Sequence, residues 1–197
     1  MISRILSGLF FSCCLTTLNA KSITNSNYST NIKKNLQTEI SIAPSTEDWK
    51  LFWSSGKVWR KNLWDYHKQR GHILEDWAWE WQLGWVRSCE TTAEGWCQQL
   101  LKEALFAKAG LVRSRAAQAW GNIWRGHKDK MAIRLLAQAY QNPENIRQNK
   151  PLFIRKRILH AIKGIGGEYA LKTAQELAAE HTQTQEYWLR LNHVSGK

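Results

Sequence analysis

Several familiar signatures of enzyme chemistry are missing from this chain. It contains no Gly-rich phosphate loop, no G-x-S-x-G elbow, no H-E-x-x-H and no C-x-x-C. Those absences argue against P-loop, serine-hydrolase, zincin and thioredoxin-like chemistry. No long segment alternates with period two, so sheet-based folds are disfavoured and an all-α fold is the economical expectation. Cysteine is scarce: of four, Cys13 and Cys14 lie in an N-terminal apolar stretch, which leaves Cys89 and Cys97. No paired His or Cys ligands stand near them at metal-binding spacing, so they are expected to form a disulfide rather than a zinc site. No catalytic residue, metal or cofactor is assigned, and the expectation is a binding protein rather than an enzyme.

The apolar run Ile5 to Leu18 is short for a membrane span, which needs about 20 residues. Arg4 before it and Leu18-Asn19-Ala20 after it match a secretory signal peptide cleaved after Ala20. The expected location is therefore periplasmic or secreted, the alternative being a lipoprotein held through Cys13. Residues 21–45 are rich in Asn, Ser and Thr and read as a flexible polar linker. A single helical domain is expected over 46–197: a Trp-rich half (46–110), a repeat-bearing part (111–181) and a C-terminal cap (182–197).

What is present in the repeat-bearing part is self-similarity. Shifting the chain by 42 residues matches Arg113 with Arg155, Arg115 with Arg157, Ala119 with Ala161 and Ile123 with Ile165. It also matches Lys130 with Lys172, Ala132 with Ala174, Leu135 with Leu177 and Ala137 with Ala179. A period near 40 with helical patterning predicts a right-handed-type α-solenoid of stacked antiparallel helix pairs, with roughly eight to nine helices. The spacing predicts helices near Thr46 to Ser55, Lys57 to Gln69, Ile73 to Arg87, Ala93 to Ala109 and Val112 to Trp124. Further helices are expected near Lys128 to Gln141, Pro151 to Lys163, Glu168 to His181 and Gln185 to Leu191, with Pro151 at a first helical position.

Val112, Arg113, Ala116, Ala117, Ala119, Gly121 and Ile123, followed in the later copy by Gly166, Gly167, Glu168, Ala170 and Leu171, resemble HEAT-type repeats, including those related to phycobilin lyases. The resemblance covers residues 111 to about 181, and Lys150 stands where the family often has an acid before its proline. It implies that Arg113 and Arg155 pack between repeats and that second helices line a concave face, which makes Lys130, Arg134 and Lys172 the candidate partner-binding residues.

Nine of the twelve tryptophans lie between Trp49 and Trp96. Ile73, Trp77, Trp81 and Trp85 recur every fourth residue, a core pattern on a helix. Trp64 and Trp79 are the possible exceptions, each an aromatic ligand platform if exposed. His67 and His72 read as polar surface histidines.

Charge is divided unevenly. Residues 46–110 carry nine basic and nine acidic side chains, whereas 111–197 carry fifteen basic and six acidic. The basic half implies a protein partner or an anionic envelope component. Because the tryptophans sit in the other half, a single-strand nucleic-acid groove is disfavoured. The leading expectation is an exported helical-repeat scaffold. Two alternatives follow from resemblance: a nucleic-acid-binding protein similar to the HEAT-like alkylpurine DNA glycosylases, which Trp64-Asp65 echoes, and a bilin-lyase-like chaperone.

Overall fold

The computed structural model describes residues 46–193. The expected signal peptide and linker lie outside the described residues, as do Cys13 and the last four positions. Among the described residues nine α-helices follow one another: α1 (Thr46–Ser54), α2 (Lys57–Gln69), α3 (Trp79–Ser88), α4 (Gly95–Ala104), α5 (Gly110–Ile123), α6 (Lys130–Tyr140), α7 (Phe153–Ile165), α8 (Glu168–Ala179) and α9 (Thr182–His193). Neighbouring helices pack on one another: α5 lies between α3 and α7, and α7 also meets α6, α8 and α9.

Small residues set the closest of these approaches. Ala116, Ala117 and Ala119 are buried on α5, and a Cβ added to Gly121 would fall 2.6 Å from the Ala161 Cβ and 2.8 Å from its Cα. The α5–α7 spacing therefore requires glycine at position 121, because backbone cannot yield as a flexible side chain does. Gly121→Ala is expected to cost about 1–3 kcal/mol through overpacking. Ala161→Gly in the same chain should recover part of the loss, and a chemical-denaturation cycle of the four proteins measures it. Strict additivity of the two substitutions would contradict the contact.

Arg113 and Arg155, related by the 42-residue shift, are both 2% exposed. Arg113 donates to the carbonyls of Ala107, Lys108 and Glu144 and, through Nε, to the Asn145 side chain. Arg155 donates to Glu180 and lies 4.3 Å from the Tyr140 ring centre. Each guanidinium thus reaches the chain just beyond the second helix of its own pair. Acceptors replace much of the water around Arg113, whereas Arg155 has the Glu180 carboxylate and the Tyr140 face but a buried Nε without a partner among the described residues.

The tryptophans of the first half form the core that joins α1, α2 and α3. Phe52 and Trp85 are fully buried, and Trp49 stacks on Trp81 at 5.2 Å. The Cys89–Cys97 disulfide ties the end of α3 to α4 across a Cα separation of 5.2 Å.

Three expectations need correction. The helix expected from Ile73 to Arg87 is interrupted: Leu74–Asp76 forms a 3-10 turn, Trp77 and Ala78 are extended, and α3 starts at Trp79. The acidic side chains of this stretch bind backbone instead of facing solvent along a helix. Asp76 accepts from the Ile73 amide, Glu75 from the Lys108 amide, and Glu103 from the Leu74 amide. The local Asp76–Ile73 bond competes with helical ones, and Ile73 ends half exposed rather than on the tryptophan stripe.

Pro151 does not begin a helix either. It pairs with Ile146 in a two-residue hairpin (β1 Ile146–Arg147, β2 Lys150–Pro151) whose turn residues Gln148 and Asn149 have positive φ. This hairpin and a 3-10 turn (Pro143–Asn145) fill the connection from α6 to α7. Finally, the 42-residue register does not hold through the second helices, since α6 starts at Lys130 and α8 at Glu168, 38 positions later. The α5–α6 turn is longer than the Gly166-Gly167 turn between α7 and α8, so the matched lysines occupy different places on their helices.

Candidate functional site: a lysine cavity between two turns

The α5–α6 turn and the α7–α8 turn lie against each other through two backbone hydrogen bonds. The Gly126 amide donates to the Gly164 carbonyl and the Lys128 amide to the Ile165 carbonyl, each at 3.0 Å. Gly166 and Gly167, at φ 82° and 89°, turn the chain sharply into α8. Over Gly167 runs the Lys128 stem, with Cγ 3.2 Å from where a Cβ would project. Any larger residue at 167 would push that lysine away.

Two helix starts meet here, and they differ. The N-cap of α6 is Asp129, whose carboxylate accepts from the Ala132 amide. The N-cap of α8 is Gly167, which supplies no side-chain acceptor. The positive end of α8 is therefore left without a side-chain cap, although Glu168 in its first turn offsets part of the charge.

Beside that end lies a cavity of about 340 Å³ lined by Lys128, Lys130, Lys172, Glu168, Tyr169 and the two glycines. Three ammonium groups against one carboxylate make its wall basic, and the Lys130 Nζ stands 5.9 Å from the Tyr169 ring centre. The chemistry available is charge-assisted hydrogen bonding to an anionic oxygen, with an aromatic wall beside it.

Of the three candidates from the sequence, Lys130 and Lys172 share this cavity. Arg134 does not line it; it is exposed one turn further along α6, its Nη1 3.7 Å from the Met131 sulfur. Lys128 was not a sequence candidate, because nothing in its spacing distinguishes it from any loop lysine; its stem packs over Gly167 and lines the cavity.

The two aromatic candidates separate. Trp79 is 47% exposed and remains available, whereas Trp64 is 2% exposed and packed on Trp85, which rules it out as a platform. Trp64 is drawn inward because α2 uses it, with Leu63, to dock on the tryptophan core. His67 also departs from expectation, since it is buried against Trp77 with ring centres 4.5 Å apart.

No protein-family model, curated protein or solved structure matches this chain.

Proposed function

We propose that this chain is an exported helical-repeat interaction protein that holds an anionic group of a protein or envelope partner in the lysine cavity between α6 and α8. The observation that carries this reading is the convergence of Lys128, Lys130 and Lys172 on one cavity of about 340 Å³ at the uncapped start of α8. Lysines from three chain positions at one point raise the local potential well above that of a dispersed basic surface.

A HEAT-like repeat architecture is supported by Arg113 and Arg155, which lie 42 residues apart and are both buried with contacts just beyond the second helix of their pair. Export is supported by the signal-like N-terminus and by the Cys89–Cys97 disulfide, which suits an oxidising compartment. Among the described residues no helix is long and apolar enough to cross a membrane. The DNA-glycosylase alternative loses its aromatic contact, because Trp64 is in the core.

The test compares two triple charge reversals of equal net change on a polyglutamate matrix. Lys128→Glu/Lys130→Glu/Lys172→Glu is expected to elute at clearly lower salt than Lys102→Glu/Lys150→Glu/Arg190→Glu, whose side chains are dispersed on the surface. Both variants should melt within a few degrees of the parent, as expected for solvated side chains worth about 0.5 kcal/mol each. Equal loss in the two variants means that retention follows net charge alone, and the cavity is then not a binding site.

A further inference from the structure

Residues of α5, α7 and the start of the α5–α6 turn border a second, smaller cavity of about 60 Å³. Gly121 and Ala161, whose contact lets the two helices approach, line it together with Gly164. The walls carry Arg125, Arg157 and His160 together with the amides of Gln118 and Asn122, and no carboxylate is among the lining residues.

Hydrogen bonds orient Arg125 and the two amides, while the exposed Arg157 and His160 are left with their donors open. Arg125 donates from Nη2 to the Asn122 Oδ1 at 3.0 Å, and its guanidinium carbon lies 3.9 Å from where a Cβ on Gly164 would stand. Arg115, itself paired with Glu90, donates to the Gln118 Oε1. Both amides therefore present their oxygens to arginines and keep their N–H groups for another acceptor. The side chains of Arg157 and His160 make no hydrogen bond or ion pair with any of the described residues.

We propose that this groove is a binding site for a compact tetrahedral oxyanion of the phosphate class, clasped by Arg125 and Arg157 with His160 as a third donor. The donor count decides between oxyanions. Two guanidinium forks, an imidazole and two amide groups supply more N–H bonds than the two oxygens of a carboxylate accept, and they suit a phosphate with three or four free oxygens. Size agrees: a space of about 60 Å³ is room for a few waters, the scale of a compact oxyanion rather than a large ligand. The site is separate from the lysine cavity and does not depend on it.

His160 also serves as the reporter. Partial desolvation of this exposed ring, with the nearby charges of Arg125, Arg157 and Lys163, holds its pKa below the usual imidazole value. A bound dianion opposes those cations and favours the imidazolium.

The experiment is a pH titration of the histidine ring protons of the full chain by NMR, in phosphate and in chloride at matched ionic strength. The His160 pKa should rise by about 0.5 or more in phosphate, while His181 and His193 serve as internal controls and stay put. The rise should vanish in Arg125→Gln/Arg157→Gln and persist in Lys130→Glu/Lys172→Glu, so failure here is distinct from failure of the lysine cavity. A butyl phosphate arm identifies the source: a response like that to inorganic phosphate assigns the groove to a phosphate carried on a larger molecule, and a response to inorganic phosphate alone assigns it to the free ion. No phosphate-specific change at His160, an equal change at all six histidines, or a response that survives loss of both arginines overturns the proposal.

Discussion

Trp85→Ala is expected to lower the unfolding free energy by about 3–5 kcal/mol, the range for removing a large aromatic from a packed core. Trp85 is completely buried, and its ring meets Phe52, Trp64 and Trp77 at centroid distances of 5.0, 5.7 and 5.6 Å. It therefore joins α1, α2 and the segment before α3, and the void left by its removal cannot be closed by one neighbour alone. Trp85→Phe should cost much less. The indole Nε1 has no hydrogen-bond partner among the described residues, so phenylalanine loses area without stranding an acceptor. Trp79→Ala, at a 47% exposed position, should change stability by no more than about 0.5 kcal/mol. Denaturant titration of the three variants checks the ranking; a Trp85→Ala protein as stable as Trp79→Ala would place the core elsewhere.

Acid is expected to destabilise the fold well above the carboxylate range, because of His67. Its ring is 5% exposed, and neither nitrogen has a hydrogen-bond partner among the described residues. Burial first, then the charges of His72 and Arg70, lowers its pKa from 6.5 to about 4. His72 faces it at 5.4 Å and stands near Asp76, and Tyr66 and Trp77 complete the surroundings. The unfolded chain binds this proton more readily than the folded one, so stability rises with pH between the two values. The contribution is fully present above about pH 6.5 and is lost as pH falls toward 4, reaching about 3 kcal/mol at pH 4. His67→Phe removes the titrating ring and its two unpaired nitrogens while keeping an aromatic against Trp77. That variant should have a flatter stability profile between pH 6.5 and 4 and be the more stable protein at the acid end. An unchanged slope in urea titrations across that window would exclude His67 as the source.

Much of the fold was legible in one dimension, and the reason is local. Helices α2 and α7, with their apolar spacing, and Asp129 and Gly167 beside the starts of α6 and α8 are written in neighbouring residues. Arg113 and Arg155, matched by the 42-residue shift, are both buried, and the two cysteines eight positions apart with no metal partners form the expected disulfide. Residues 73 to 78 were misread because Glu75 and Asp76 find their amides at Lys108 and Ile73, and the first of these lies 33 positions away. Spacing along a helix carries no trace of such a bond.

The candidate sites divide in the same way. Lys130 and Lys172 were named from a repeat, but it is the shortened Gly166-Gly167 turn, and not their matching register, that brings them together with Lys128. Trp64 was a ligand candidate only if exposed, and His67 read as a surface histidine, yet one face of α2 carries both into the tryptophan core. The α5–α7 groove had no sequence signature at all. It exists because glycine and alanine at 121 and 161 let two helices touch while Arg125, Arg157 and His160, from two different helix pairs, are left around the gap. By itself the sequence determined which stretches coil and which faces are apolar, because those depend on residues within a turn or two of one another. Where cations converge and which aromatics are shut in was decided only when the helices packed, because convergence and burial are properties of surfaces contributed by distant parts of the chain.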